Sequence, residues 1–363
     1  MTSFVSTWET SNISFQNPFS SSGNQIRLPL EADGTYNFTV NWGDGSSDTI
    51  TAYNQAEVTH TYAISGEYTL TIDGTLTGFR FANANDKLKL LDITQWGDLR
   101  LGNNQSYFMG CTNLVCTATD ALDLTGTTDL TDAWYGCTKF NGTLGDCDFS
   151  SVTTMHGMLK NCKAFNKPLS SIDTSSVESM ALTFSNCIAY NQSNNSLDVS
   201  SVKLMDYMFY GCTSLDQAYD DWDISSVESM DDMFYNVSLS TTNYSNLLKS
   251  WALQTVHSSI ELNVDGSEYY TSAAASRTVL TDTYGWTITD GGESEDYEHT
   301  HTIPLESDVS DNVSLSSGLE LSVTLTSYSS GDDITLSSTV YQSITLSSLV
   351  AQSITITSTI SVD

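Results

Sequence analysis

Five cysteines stand at near-constant spacing: Cys111, Cys137, Cys162, Cys187 and Cys212, in steps of 26, 25, 25 and 25 residues. Matched thiols can hold a metal, close disulfides or pack as small hydrophobes. A zinc site wants paired Cys or His at short separations. Cys111 with Cys116 fits that poorly, and the five histidines are scattered. If the copies stack, equivalent Cα atoms come close enough that distance alone does not forbid a disulfide. Each cysteine of the series also stands between apolar residues, the setting of a buried free thiol. Cys116 and Cys147 lie outside the series and make the count odd. Carboxylates offer a second chemistry. A retaining glycosidase needs two of them roughly 5 Å apart in a cleft. The densest group, Asp220, Asp221 and Asp223, reads instead as a solvated turn. A calcium loop would alternate carboxylates before a glycine. Asp44 and Asp48 are the weak calcium candidates, and Asp44 reads first as a turn-stabilising residue. His60 has no nucleophile placed beside it and reads as a packed strand residue. No catalytic residue and no cofactor other than that calcium is expected.

The elements that carry the cysteines show in the neighbouring columns. Three residues before each Cys comes Phe108, Trp134, Leu159, Phe184 or Phe209; three after comes Leu114, Phe140, Phe165, Tyr190 or Leu215. Upstream run Met155, Met180, Met205 and Met230, then Val152, Val177, Val202 and Val227, then Asp148, Asp173, Asp198 and Asp223. Val237 takes the cysteine slot of the last copy. Apolar spacings of three and four predict a short helix or helical turn in each copy. The Ser-Ser pair before each valine is placed to cap it. One copy cannot bury its apolar side alone; stacked copies can. Tyr135, Tyr210 and Tyr235 share one column, two residues before the cysteine slot, while Tyr219 and Trp222 fall between copies. These five are the candidate binding surface, for sugars above all, with packing inside the stack as the competing reading.

The pattern D-[IVF]-S-S-V-x-x-M-x-x-M-F-x-x-C-x-x-[FL]-[ND] resembles the BspA-like (treponemal-type) leucine-rich repeat surface proteins. The likeness spans roughly residues 86 to 290, and Trp251 to Gly292 resembles the cap that follows such repeats. It implies a right-handed solenoid used for binding or display, with no catalytic residues to carry over. Thr183, where Met208 and Met233 stand in later copies, and Lys160 after the weaker Leu159 depart from the pattern.

Residues 1–85 read as β-rich. Thr35 to Trp42 alternates apolar and polar, Gly43-Asp44-Gly45 forces a turn, and further strands are expected at Ser47–Tyr53, Val58–Tyr62 and Gly66–Ile72. The Val58–Tyr62 strand is expected to pair with Ser47–Tyr53. The block NWGDGS, VTHTY and GEYTLTI resembles a PKD-like domain, which implies an immunoglobulin-like β-sandwich serving adhesion or spacing. Lys87 to Ile93 reads as a strand of the first copy, docked on the sandwich without a flexible linker. The expected fold is thus mainly β with short helices: a sandwich at 1–85, a leucine-rich-type solenoid of about 25-residue repeats at 86–236, its cap at 237–292, and a hinge and β-repeat tail at 293–363. That tail repeats Val313-Ser-Leu-Ser-Ser, Val323-Thr-Leu-Thr-Ser and three similar units beginning at 334, 344 and 354. β-Branched residues alternating with Ser and Thr make two-faced strands whose edges want partners.

The chain has 363 residues and a formal charge of −32, with only 12 Lys and Arg. Such a chain repels phosphate backbones and anionic membranes, so nucleic acid is excluded as a partner. No apolar run approaches a membrane span, and the N-terminus MTSFVSTWETSNISF lacks the build of a secretory signal. An adhesin-like body without an export signal suggests assembly in the cytoplasm. The expectation is a non-enzymatic virion display protein, a head decoration, head fibre or tail appendage of a bacteriophage. It would join other virion proteins through residues 301–363, form a homo-oligomer, preferably a trimer, and touch a host surface protein or glycan. A bacterial cell-surface adhesin is the alternative, and a glycan depolymerase a weaker third.

Overall fold

The computed structural model describes residues 2–13 and 20–295, together with strand segments within 323–358. The fold is mainly β with a few short helices. The chain forms two compact units, Met1–Ser294 and Glu295–Asp363.

The N-terminal sheet is built from strands whose sequences alternate. β1 (Phe4–Glu9) buries every second residue, Phe4, Ser6 and Trp8, as the period of a half-buried strand requires. β2 (Gln25–Arg27), β3 (Leu30–Asn41), β4 (Ser47–Ile50), β5 (Thr59–Thr61), β6 (Glu67–Phe79), β7 (Leu90–Gln95) and β8 (Leu99–Arg100) follow. The sheet order is β4-β3-β6-β1-β7, with β8 added parallel to β6. The turn between β3 and β4 depends on glycine. Gly43 has φ +82°, and a Cβ there would meet the Thr69 carbonyl oxygen at 2.6 Å. One expectation needs correction and another is incomplete. β5 pairs with β2, not with β4, because β2 lies in a stretch with no clear alternation. β7 has a second role besides the one expected: it pairs antiparallel with β1 inside the N-terminal sheet. Its carbonyls at Leu91 and Ile93 then accept from Val115, Thr117 and Ala118. One strand therefore closes the sheet and starts the stack.

Between β8 and α1 (Thr241–Trp251) the described residues form turns, with no helix. The expected helical turn gives way to a different hydrogen-bond scheme. Leu130, Asp132, Trp134 and Gly136 donate their amides to carbonyls 24 residues ahead, at Thr154, His156, Met158 and Lys160. Ala133, Tyr135 and Cys137 donate instead three residues back. The alternation repeats in later copies: Met205, Tyr207, Phe209 and Gly211 donate to Ser229, Asp231, Met233 and Tyr235. Parallel bridges join Asp129, Thr154, Ser179, Leu204 and Ser229 in sequence. A continuous helix is prevented by two left-handed residues per copy. One is five before the cysteine slot, for instance Asp132 (φ 54°), Leu182 (60°) and Tyr207 (55°). The other is one before it, for instance Gly136 (77°), Asn186 (60°) and Gly211 (70°). Apolar spacing of three and four thus marks turns in this chain.

The caps also differ from expectation. The acceptor at each turn is the aspartate, not the Ser-Ser pair. Asp148, Asp173, Asp198 and Asp223 each accept from the amide two residues on, at Ser150, Ser175, Ser200 and Ser225, all at 3.0 Å. Aspartate wins because its carboxylate reaches its own backbone two residues ahead.

The apolar columns form one buried core with Met155, Met180, Met205, Met230 and the large residues beside the cysteines. Phe184, Phe209 and Phe234 stack at 5.3 and 5.6 Å between centroids. Phe140, Phe165 and Tyr190 make a second stack at 6.0 and 5.8 Å. After α1, β9 (Glu261–Asn263) pairs parallel with β11 (Thr287–Thr289), and β10 (Glu268–Tyr270) with β12 (Gly292–Ser294). α2 (Ala274–Thr278) lies between them in sequence. There Asp290 accepts from Tyr244 Oη at 2.7 Å and from Arg277 Nε at 2.8 Å, closing the end of the unit.

In the second unit β13 (Val323–Leu325) pairs parallel with β16 (Ile344–Leu346), β14 (Tyr328–Ser329) with β17 (Leu349–Val350), and β15 (Ile334–Ser338) with β18 (Ile354–Ser358). Each strand finds a partner two sequence repeats away within the same chain. The tail unit at 313–317 and the hinge at 296–300 lie outside the described residues.

Candidate binding face on the repeat stack

The cysteine series is buried throughout, and all seven cysteines are free thiols. Each later thiol donates to the carbonyl of the large apolar residue in the copy before. Cys137 Sγ reaches Phe108 O at 3.0 Å, Cys162 Trp134 O at 3.1 Å, Cys187 Leu159 O and Cys212 Phe184 O at 3.0 Å. A cysteine fits this slot because it is small, apolar and a weak donor. Thr183 does similar work with its hydroxyl, which donates to Met155 O at 2.9 Å and Met180 O at 2.7 Å. Burial pushes the thiols up, Cys212 to about 12 and the outlying Cys147 to about 11. Because the thiolate is the reactive species, native protein in iodoacetamide should retain all seven thiols, and denatured protein should lose them; a thiol alkylated in the native state would contradict this.

Asp44 and Asp48 are each engaged by different partners. Asp44 accepts from the Ser46 amide at 2.9 Å and bonds His60 Nε2 at 2.8 Å, while Asp48 accepts from Trp42 Nε1 at 2.8 Å. Burial alone would raise Asp44, but the bonds from Ser46 and His60 outweigh it and hold the carboxyl down at about 2. His60 stacks on Trp42 at 4.9 Å. Among the described residues no group of three or more His, Cys, Asp or Glu is arranged to hold a metal. Asp220 and Asp221 both accept from Asn195 Nδ2, at 3.2 and 2.7 Å. Asp223 holds its own turn, so two of the three carboxylates tie one copy to the next and the third fixes a turn.

Two candidate surface residues are core. Tyr219 and Trp222 are 0% and 1% exposed. They fold inward because the stretch between copies turns back over Phe209, whose ring lies 5.4 Å from Tyr219 and 6.4 Å from Trp222. Trp222 Nε1 donates to Asn194 O at 2.9 Å, and the Tyr219 hydroxyl has no hydrogen-bond partner among the described residues.

The column two residues before the cysteine slot stays at the surface. Tyr135 is half-buried, and Lys160 of the next copy places its ammonium 5.3 Å above the ring. Further along, Tyr210 and Tyr235 stack at 5.1 Å with planes 13° apart. Tyr207 leans on Tyr210 at 5.8 Å. Tyr207, Tyr235 and Leu204 keep 38%, 39% and 40% of their surface exposed. Carboxylates border this group. Asp206 accepts from the Asp231 amide at 3.0 Å and from the Ser229 hydroxyl, and Asp232 accepts from Asn263 Nδ2 at 2.9 Å. Burial first, then Asp206, Glu261 and Asp232, raises the Asp231 carboxyl. Sequence reasoning named Tyr210 and Tyr235 but missed Tyr207 and Leu204. A signal was there: Tyr207 stands in a column otherwise held by Asp132, Gly157, Leu182 and Asp232.

Residues 128–251, about a third of the chain, match the model of a family described as Mycoplasma protein of unknown function, DUF285. No curated protein and no solved structure matches the chain.

Proposed function

We propose that this chain is a non-enzymatic display and binding protein. Its stacked copies are read as a leucine-rich-type solenoid, its N-terminal sheet as part of a PKD-like, immunoglobulin-like domain, and its last unit as an attachment segment. The observation that carries the reading is the amide ladder. Alternate residues of each copy are tied to the next copy, so surface side chains are held at fixed spacing along the stack. Such a scaffold presents an extended face in place of an enclosed cleft. Tyrosines supply contact area at low conformational cost, which suits that face for recognition.

The proposed location is a virion surface, with attachment through residues 301–363. The parallel pairing of strands two repeats apart supports it, since a segment that stacks on itself suits a fibre or a joint in an assembly. The match to a mycoplasmal family favours a second reading, a bacterial cell-surface adhesin. Antibody against the chain should detect it in purified virions. Detection in envelopes of uninfected cells, and not in virions, would replace the first location with the second.

A further inference from the structure

We infer that the patch formed by Tyr207, Tyr210 and Tyr235 with Asp206, Asp231 and Asp232 is a docking site for a basic protein segment, which lays an arginine or lysine side chain against the tyrosine rings and between the carboxylates. The inference rests on reading the repeat face as a binding face, and it names the chemistry of the partner.

The stack itself contains the template. At the Tyr135 position the next copy supplies Lys160, whose ammonium stands 5.3 Å over the ring. In the last copies the same column supplies aromatic rings only, Tyr210 followed by Tyr235. Among the described residues no Lys or Arg lies over Tyr207, Tyr210 or Tyr235. None of Asp206, Asp231, Asp232 and the neighbouring Glu261 forms an ion pair among the described residues. The carboxylates crowd one another, and an incoming cation relieves that crowding. A cation over an aromatic face is attracted by the ring quadrupole, more strongly as water leaves.

Tyr207 adds a second argument. Its φ of 55° is a conformation that a bulky residue occupies at a cost. Glycine or aspartate holds the equivalent position at Gly157, Asp132 and Asp232, and Leu182 is the other bulky residue in the column. The residue is 38% exposed and no part of the buried core. The core therefore does not account for an aromatic side chain here, and a contact at the surface would. Charge selects among partners. A body with formal charge −32 repels anionic glycans and nucleic acid. A neutral sugar could stack on the tyrosines but would leave the carboxylates uncompensated.

The test uses the full chain and a capped peptide carrying two arginines between glycines, titrated by calorimetry at about 0.15 M salt, where charges beyond roughly 8 Å are screened. Replacing Tyr207→Ser together with Tyr235→Ser keeps every charge and should weaken binding about tenfold, the scale of a desolvated cation–ring contact. Asp231→Asn with Asp232→Asn should weaken it similarly, while Glu57→Gln with Glu67→Gln, an equal loss of charge elsewhere, should not. Equal weakening by both charge pairs, or unchanged binding without the tyrosines, would assign the effect to bulk charge and overturn the site. A second readout needs no variant: a photoreactive group beside the arginines should cross-link within residues 204–235, and cross-links scattered over the surface would count against it. If a neutral glucose oligomer binds these tyrosines and the peptide does not, the basic partner is refuted while the binding face stands.

Discussion

Asp86→Ala is expected to destabilise the chain by about 3–5 kcal/mol, the usual result of stripping one partner from a buried ion pair. Asp86 and Lys89 are both fully buried, with Nζ and Oδ1 3.5 Å apart. The pair is wrapped in further bonds. Asp86 accepts from the Ser21 amide and the Arg27 amide at 2.7 Å and from the Ser21 hydroxyl at 2.6 Å. Lys89 donates to the Ser22 and Gln25 carbonyls at 2.8 Å and to the Ser21 hydroxyl at 2.7 Å. Together they fasten the segment 20–27 to the chain leading into β7. Loss of Asp86 leaves an ammonium buried without its counter-charge and two amides without acceptors. The defect carries a pH signature. Burial already pushes Lys89 below its ordinary range, and Asp86 pulls it back up. Without Asp86 the folded state holds that proton less tightly than the unfolded chain does. Stability then rises with pH where the unfolded chain binds the extra proton. Urea unfolding, followed by tryptophan fluorescence, should show the deficit shrinking between pH 7 and 10. A loss under about 1 kcal/mol, or one independent of pH, would mean that the pair is not a linchpin of the N-terminal sheet.

Periodicity made much of this architecture readable and left specific gaps. The 25-residue columns locate the copies, their buried residues and the seam of cysteines, because stacking forces equivalent side chains into equivalent places. What periodicity cannot give is backbone handedness. Leu182 and Tyr207 look like ordinary interior residues of a helical turn, yet both are left-handed, and with Asn186 and Gly211 they convert helix into turns. Non-local pairing was equally hidden: β7 reads as a strand, but only the register of Ser6 against Ile93 assigns it to the N-terminal sheet. The candidate binding face divides along the same line. Tyr210 and Tyr235 are legible as a column. Tyr219 and Trp222 fall where the column pattern is silent, and their burial follows from a turn that folds back over Phe209. Asp206 and Asp231 become neighbours only when consecutive copies stack.

Phe209→Ala should cost about 3–5 kcal/mol, and its distinguishing feature is where the loss appears. Phe209 lies between Phe184 and Phe234, and its ring also meets Tyr219 and Trp222. In a stack whose copies lean only on their neighbours, stability is a sum of copies and interfaces. Truncating Phe209 weakens two interfaces at once and leaves a void that the amide ladder on either side, pinned at Phe184 N to Met208 O and Phe209 N to Met233 O, hinders from collapsing. A void that cannot collapse is what makes a large-to-small change costly. Amide exchange followed by mass spectrometry should therefore show protection falling across residues 180–235, with β1, β3 and β6 nearly unchanged. Tyr235→Ser, at a ring that is 39% exposed, should move unfolding by under about 1 kcal/mol, so the two variants separate what holds the stack together from what it displays. Uniform loss of protection across residues 2–295 would show that the unit opens as a single cooperative body; the chain would then resist local damage less than a stack of separable copies should.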